Sequence, residues 1–377
     1  MTVTVKFDHI TAYLIKIPLI RPFRISVGQV TEKEFMVIEG RAGDITGWGE
    51  ASVDGTPFYT YETSETSMVI GRRVLAPLLL SKPWNSPEEL VEEMEHHRGH
   101  YFTKMAFETL LWDVYGKMLG KPVSQYPEEV GAVARQWVET GPSIGIKDSP
   151  EKLVEAVGAD LGRGYRRIKI KVSPAKDIPY IEAVRKAYPD ITLMVDANSA
   201  YQPEDIEKIA RWDDYNLLMI EQPLDEFDLY FHAKLAARMK TPICLDESIP
   251  TLHLAKCAID IKAMDILNIK VGRVGGLVRT RQINKLCEEA GIPVWIGARL
   301  GSGIADSMNL AAASLPNARF PSDTGFGFEY LSGELIHGWF DIRNKIEYKV
   351  PTLPGLGVEV DREMLKKYTV YKEEWSA

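Results

Sequence analysis

Residues 167–196 read RIKIKVSPAKDIPYIEAVRKAYPDITLMVD, and this stretch decides the fold. The runs 167–172 and 191–196 have strand length and β-branched content. Between them Ile178, Ile181, Val184 and Tyr188 recur at spacings that place one apolar face on a helix. Strand, helix and strand in so short a segment predict a βα repeat feeding a parallel sheet.

The same rhythm continues in both directions. Apolar runs at 137–146, 217–221, 243–246, 266–270, 294–297 and 319–323 alternate with polar helical stretches. Eight strands in all predict an α/β fold, a TIM barrel of the (β/α)7β type with a shortened last unit. Upstream, period-two alternation at 11–18 and 35–39, then 45–52 after Gly43-Asp44, predicts an antiparallel meander. Ser86 before Pro87 supplies a helix N-cap, and Phe107, Leu111, Val114 and Met118 give a helical face that Gly120 and Pro122 end. After about residue 327, Gly333, Gly338 and Pro354-Gly355 punctuate hairpin-like text. The expected organisation is an α+β capping domain over 1–130, a barrel catalytic domain over 131–326, and a C-terminal segment over 327–377 that returns to the cap.

A charge closes each central apolar run. Lys171 lies near the end of the second strand, Asp196 ends the third, Glu221 the fourth, Asp246 the fifth and Lys270 the sixth. From Asp196 onward the separations are 25, 25 and 24 residues, one βα repeat each, so all five fall on the rim that carries chemistry in barrels. Three converging carboxylates repel one another unless a cation neutralises them. Oxygen-only ligation by Asp196, Glu221 and Asp246, with no His or Cys beside them, suits Mg²⁺ and also Mn²⁺, whereas zinc would recruit nitrogen or sulfur.

Lys171 and Lys270 then flank the metal from opposite sides. An amine beside a divalent cation has its charged form disfavoured, which moves it toward service as a base. Lys169, two residues before Lys171 and on the same strand face, adds like-charge repulsion. A metal that binds a carboxylate, with an amine on each side of the α-carbon, predicts enolisation of a small-molecule carboxylate. A Schiff-base aldolase would need one lysine and no acid triad, and a non-catalytic barrel would need none of the five.

Composition agrees with small-molecule chemistry. Lys+Arg number 45 against 53 Asp+Glu, a net charge of −8 with no basic block, which argues against nucleic acid and anionic membrane as partners. Hydrophobic residues at 45% support a globular core. Three cysteines, Cys244, Cys257 and Cys287, give no disulfide or zinc pattern and point to a reducing compartment. No apolar run approaches the roughly 20 residues of a membrane span, and the N-terminus alternates where a signal peptide would be continuously apolar. A cytoplasmic homo-oligomer is expected.

The constellation resembles the enolase superfamily, in which a Lys or His base working with Mg²⁺ is an established pattern. The paired lysines of 169–171 with a later lysine are similar to its muconate-lactonising subgroup. None of His9, His96, His97, His100, His232, His253 and His337 ends a barrel strand, so a His-based subgroup is disfavoured. Over most of the chain the text resembles the o-succinylbenzoate synthase / N-succinylamino acid racemase family. The matching segments are Arg21-Pro22-Phe23 with Ser26 and Gly28, Gly47-Trp48-Gly49-Glu50, Pro57-Phe58-Tyr59, Asp196-Ala197-Asn198, Glu221-Gln222-Pro223, Asp246-Glu247-Ser248 and Lys270 through Gly276.

That resemblance implies Lys171 and Lys270 as the acid/base pair and Asp196, Glu221 and Asp246 as metal ligands. Lys169, Asn198 and Arg273 are implied as supporting residues, and the cap as the determinant of specificity. Ser26, Tyr59, Glu247, Arg299 and Ser302 are expected at the substrate. The implied reactions are dehydration to o-succinylbenzoate and racemisation of N-acylamino acids. A cycloisomerase or dipeptide epimerase is the alternative, although Ser322-Asp323-Thr324 lacks the twin acid that would favour an epimerase. One segment departs from the family: a methionine and an acid-bearing turn usually follow the seventh strand, and here the text is Gly297-Ala298-Arg299-Leu300-Gly301-Ser302-Gly303. Arg299 either enters the pocket to bind an anion or turns away to solvent or a surface acid. The segment 272–276 is either a phosphate nest or a close-packed helix start.

Overall fold

The N-terminal alternation becomes a sheet because every second side chain meets one core. Strands β1 (His9–Ile25), β2 (Gly28–Ala42) and β3 (Ile45–Ala51) pair antiparallel in sequence order, with Tyr13 opposite Val37 and Ile38 opposite Gly49. Ile15, Ile17, Phe35 and Val37 are fully buried. The computed structural model describes residues 3–25, 28–125, 135–325, 327–338 and 340–376.

Across this sheet lies the helix Tyr101–Leu119, which ends at Gly120 in the left-handed region. Gly49 lets the backbones meet, since a Cβ there would sit 1.9 Å from the Ala106 carbonyl oxygen. At the helix start Glu62 accepts from the Phe102 and Thr103 N–H groups at 2.9 and 2.8 Å, a carboxylate on the positive end of the helix dipole. The helical stretch from Ser64 to Ser81, interrupted by a π-turn at Gly71–Leu75, was not legible in the periodicity.

The expected first barrel strand divides in two. Pro142 has no N–H for a ladder, and the chain changes sheets there: β4 (Trp137–Glu139) joins a small antiparallel sheet, and β5 (Ser143–Ile144) begins the barrel. Strands β6 (Arg167–Lys171), β7 (Thr192–Asp196), β8 (Ile220–Glu221), β9 (Ile243–Leu245), β10 (Ile266–Ile269) and β11 (Val294–Ile296) follow in parallel, in sequence order. Residues 319–323 form no regular strand, because Pro321 interrupts them. They close the ring all the same: Asp323 N–H donates to the Ile296 carbonyl at 3.1 Å, and the Ser322 carbonyl accepts from Gly141 N–H, just before β5, at 2.9 Å. Met194, Met219, Cys244, Ile266 and Trp295 fill the barrel interior.

The C-terminal segment touches both units. Strands β12 (Ile342–Arg343) and β13 (Glu347–Lys349) form the small sheet with β4, while β14 (Thr369–Trp375) pairs with β1, Trp375 opposite Ile10. Cap and barrel are also joined by carboxylates on helix starts. Glu108 accepts from the N–H groups of Leu277 and Val278 at 2.6 and 2.8 Å. Gly276, at φ +130°, leaves room for it, since a Cβ there would lie 1.4 Å from Glu108 Oε2. The glycine-rich segment 272–276 is therefore a close-packed helix start whose anion position a side chain already fills. Cys244, Cys257 and Cys287 are free thiols. Among the described residues no helix is long and apolar enough to cross a membrane.

Candidate active site

Strand register brings the charged residues together. Lys171 pairs with Asp196, Asp196 with Glu221, and Glu221 with Cys244, so Asp246 lies two residues farther along its strand. Leu245 pairs with Leu267, which places Asn268 level with Asp246 and Lys270 two residues beyond. Every offset is even, so Lys171, Asp196, Glu221, Asp246 and Lys270 share the inward face. Between β6 and β10 the stagger reaches four residues over four strand steps, the shear of an eight-stranded barrel, and this keeps all five at one height. Lys169 and Asn268 occupy the next inward layer.

Each carboxylate is buried and engaged. Asp196 Oδ2 accepts from Lys171 Nζ at 2.5 Å and lies 3.5 Å from Lys169 Nζ. Glu221 accepts from Lys169 Nζ at 3.2 Å and from Asn268 Nδ2 at 2.6 Å. Asp246 takes Lys270 on one oxygen and Arg273 on the other. Tyr59 of the cap reaches the same place, its hydroxyl 2.7 Å from Lys270 Nζ and 3.1 Å from Arg273 Nη2. Asn198, at φ +44°, accepts from Lys171 Nζ at 2.8 Å and donates to Glu247 Oε1 at 2.9 Å.

Burial and charge pull the titrations apart. Burial and the adjacent Asp196 carboxylate push Glu221 up to about 8. For Asp196 burial acts in the same upward sense, but the Lys171 and Lys169 ammoniums outweigh it and hold the acid below its ordinary range. Asp246 is likewise held low against burial, by Arg273 and Lys270. Lys270 departs from the depression expected of it: burial disfavours its charge, yet contact with Asp246 raises it above the usual lysine value. Lys169 is raised too, by Asp323, Glu221 and Asp196 against burial, so a fixed positive charge stands beside Lys171.

A cavity of about 150 Å³ opens over these groups, lined by Lys169, Lys171, Lys270, Tyr59 and Arg299 and by apolar cap residues including Leu19 and Phe58. Arg299 enters it with a side chain only 7% exposed, paired with the buried Asp54 and 4.5 Å from the Tyr59 ring centroid. Arg299 therefore points inward, and the acid it meets is a buried one, neither solvent nor a surface acid. Ser302 is a correction. It does not line the cavity: its N–H and hydroxyl both donate to Glu50, because it caps the helix Gly303–Ala313 under a cap carboxylate. Glu247 is also outside the cavity lining, beside Asn198. Ser26 lies outside the described residues.

Lys33, Asp54, Asn268 and Asp323 were missed as site residues. Asn268 had a signal, two residues before Lys270 on the same face. Lys33 had one too, as a lysine on the apolar face of β2 with Phe35 and Val37.

The donor set fits a small hard divalent ion. Asp196, Glu221 and Asp246 offer carboxylate oxygens alone, on adjacent strands, at 1%, 0% and 0% exposure. Among the described residues no three acidic, His or Cys side chains close on a single point. The cationic and amide groups of the chain reach these oxygens instead, which shows how strongly the three acids gather positive charge.

Comparison with known proteins agrees with this geometry. Residues 9–126 match the mandelate racemase / muconate lactonizing enzyme N-terminal domain, and residues 152–364 match the enolase C-terminal domain-like model. An o-succinylbenzoate synthase of Geobacillus kaustophilus is 38% identical over 368 residues, 97% of each chain. An N-succinylamino acid racemase of an Amycolatopsis species is 36% identical over 368 residues, 97% of this chain and 98% of its own. Among solved structures, an enolase-superfamily member from Listeria innocua superposes with a TM-score of 0.93 at 34% identity, covering 99% of both chains.

Proposed function

The chain belongs to the mandelate racemase / muconate lactonizing enzyme family of the enolase superfamily, and from that premise we propose that it removes the proton α to a carboxylate by divalent-metal-dependent chemistry, as an o-succinylbenzoate synthase. One observation carries this reading: Lys171 and Lys270 stand at the two ends of an arc of three buried carboxylates and line one cavity. Names printed for relatives at 38% and 36% identity support the choice of a dehydration and of a racemisation, respectively.

Asp196, Glu221 and Asp246 would hold Mg²⁺, or Mn²⁺ in its place. When bound, the ion supplies positive charge against which a substrate carboxylate gains electron density. Lys171 in its amine form takes the α-proton. Its hydrogen bonds to Asp196 and Asn198 fix its position. Lys270, kept charged by Asp246 and oriented by Tyr59, faces the electron density that develops. In the dehydration the proton taken from carbon leaves with the β-hydroxyl as water. In racemisation Lys270 gives its proton to the opposite face, and the amine so formed takes the α-proton of the other enantiomer in the reverse direction.

The test is a Mg²⁺-dependent spectrophotometric assay with the cyclohexadiene precursor of o-succinylbenzoate, run beside Lys171→Ala. Loss of the diene that requires both Mg²⁺ and Lys171 is the expected result. Absence of diene loss together with absence of α-proton exchange on N-succinylamino acids would reject the reading.

A further inference from the structure

The cavity has a second charged wall that proton transfer does not use. Lys33 on β2, Asp54 after β3 and Arg299 after β11 meet there with side-chain exposures of 5%, 6% and 7%. Lys33 Nζ donates to the Val53 carbonyl at 2.9 Å and to Asp54 Oδ1, and Arg299 Nη2 contacts Asp54 Oδ2. One carboxylate therefore faces two cations.

Neighbouring acids do not balance the remainder. Glu50, the other acid acting on Lys33, is engaged by Ser52 and Ser302. Asp306 is held by Thr324 and Asn309, and Asp323 by Lys169 and Arg167. Arg299 Nη1 is buried and has no hydrogen-bond partner among the described residues. A guanidinium that lines the cavity and carries a donor with no partner suits a planar anion. Burial disfavours the charge of Arg299 and of Lys33, as expected for cations short of a counter-ion.

The spacing suits one ligand that meets both walls. Arg299 Cζ and Lys270 Nζ lie 4.5 and 5.3 Å from the centroid of the same Tyr59 ring, so they are no farther apart than those two distances together. We propose that Lys33 and Arg299 form an anion subsite that takes a second, remote carboxylate of the substrate. The enzyme then selects acids whose acyl arm ends in a carboxylate over those whose arm ends in a methyl group. This rests on the preceding reading for the first carboxylate.

Binding decides it without turnover. In excess Mg²⁺, calorimetric titration compares o-succinylbenzoate with 2-butyrylbenzoate, which carries a methyl in place of the remote acid. The wild-type protein should prefer the dicarboxylate by about 10–100-fold, the range of a charged hydrogen bond. Arg299→Met should cut that preference to about threefold or less. It leaves Lys33 and Asp54 as a balanced pair and so spares the fold, and Lys33→Met, which leaves Arg299 with Asp54, is the second variant. Equal binding of the two ligands by wild type, or an undiminished preference in both variants, overturns the subsite. Turnover is read separately on the wild-type protein, and its absence would count against the proton-abstraction reading while the binding ratio still decides the subsite.

Discussion

The two charged walls of the cavity follow different rules. On the barrel rim each charge closes a strand and meets a partner of opposite sign on a neighbouring strand: Lys171 on Asp196, Lys270 on Asp246. On the cap side Lys33 and Arg299 come from segments far apart in sequence and share one acid, Asp54. The difference separates chemistry from selectivity. Reactive groups sit where the barrel repeat fixes them, and the charges facing the rest of the ligand sit where cap and barrel meet and either unit can change.

Substitutions can break this division, and the largest expected effect is on the rim. Lys171→Ala should reduce turnover by about 10²–10⁴-fold, the usual contribution of a general base, with folding and Mg²⁺ binding retained. A wild-type rate would remove Lys171 from the mechanism. Next comes Asp54→Ala, which leaves two buried cations without their acid and should cost about 3–5 kcal/mol in urea unfolding. A change near zero would mean that Lys33 and Arg299 are not buried charges in solution. Glu221→Gln should weaken Mg²⁺ binding at least about tenfold by removing one ligand charge, and an unaltered Mg²⁺ titration would refute its assignment as a ligand.

A smaller effect concerns the joints between the units. Burial pushes Glu50 and Glu108 up to about 7 from an ordinary 4.5. Between those values the folded protein keeps protons that the unfolded chain has released, so stability falls as pH rises through the window, with the loss complete above it. Thermal melts of the metal-free protein should show a lower midpoint at pH 8 than at pH 5.5, corresponding to a stability loss of about 1–3 kcal/mol per group at most. Glu108→Gln should flatten the slope. A midpoint that rises over this interval would contradict the assignment.

What the sequence made legible follows the same line. Strand ends at Asp196, Glu221 and Asp246 could be read because period and parity are local properties. The split of 137–146 could not, since β4 is drawn away by β13, a tail strand distant in the chain. Ser302 looked like a ligand contact for a related reason: the carboxylate that occupies it, Glu50, belongs to the cap. Lys33 was visible as a charge on an apolar face, but its meaning depends on Asp54 and Arg299, and no spacing rule joins those three.

The central claim is that two lysines address opposite faces of one α-carbon, and solvent deuterium exchange into each enantiomer of an N-succinylamino acid tests it most directly. Wild-type protein with Mg²⁺ should label both enantiomers, while Lys171→Ala and Lys270→Ala should each label only one, and not the same one. Labelling of both enantiomers by either single-lysine variant would contradict the two-lysine site.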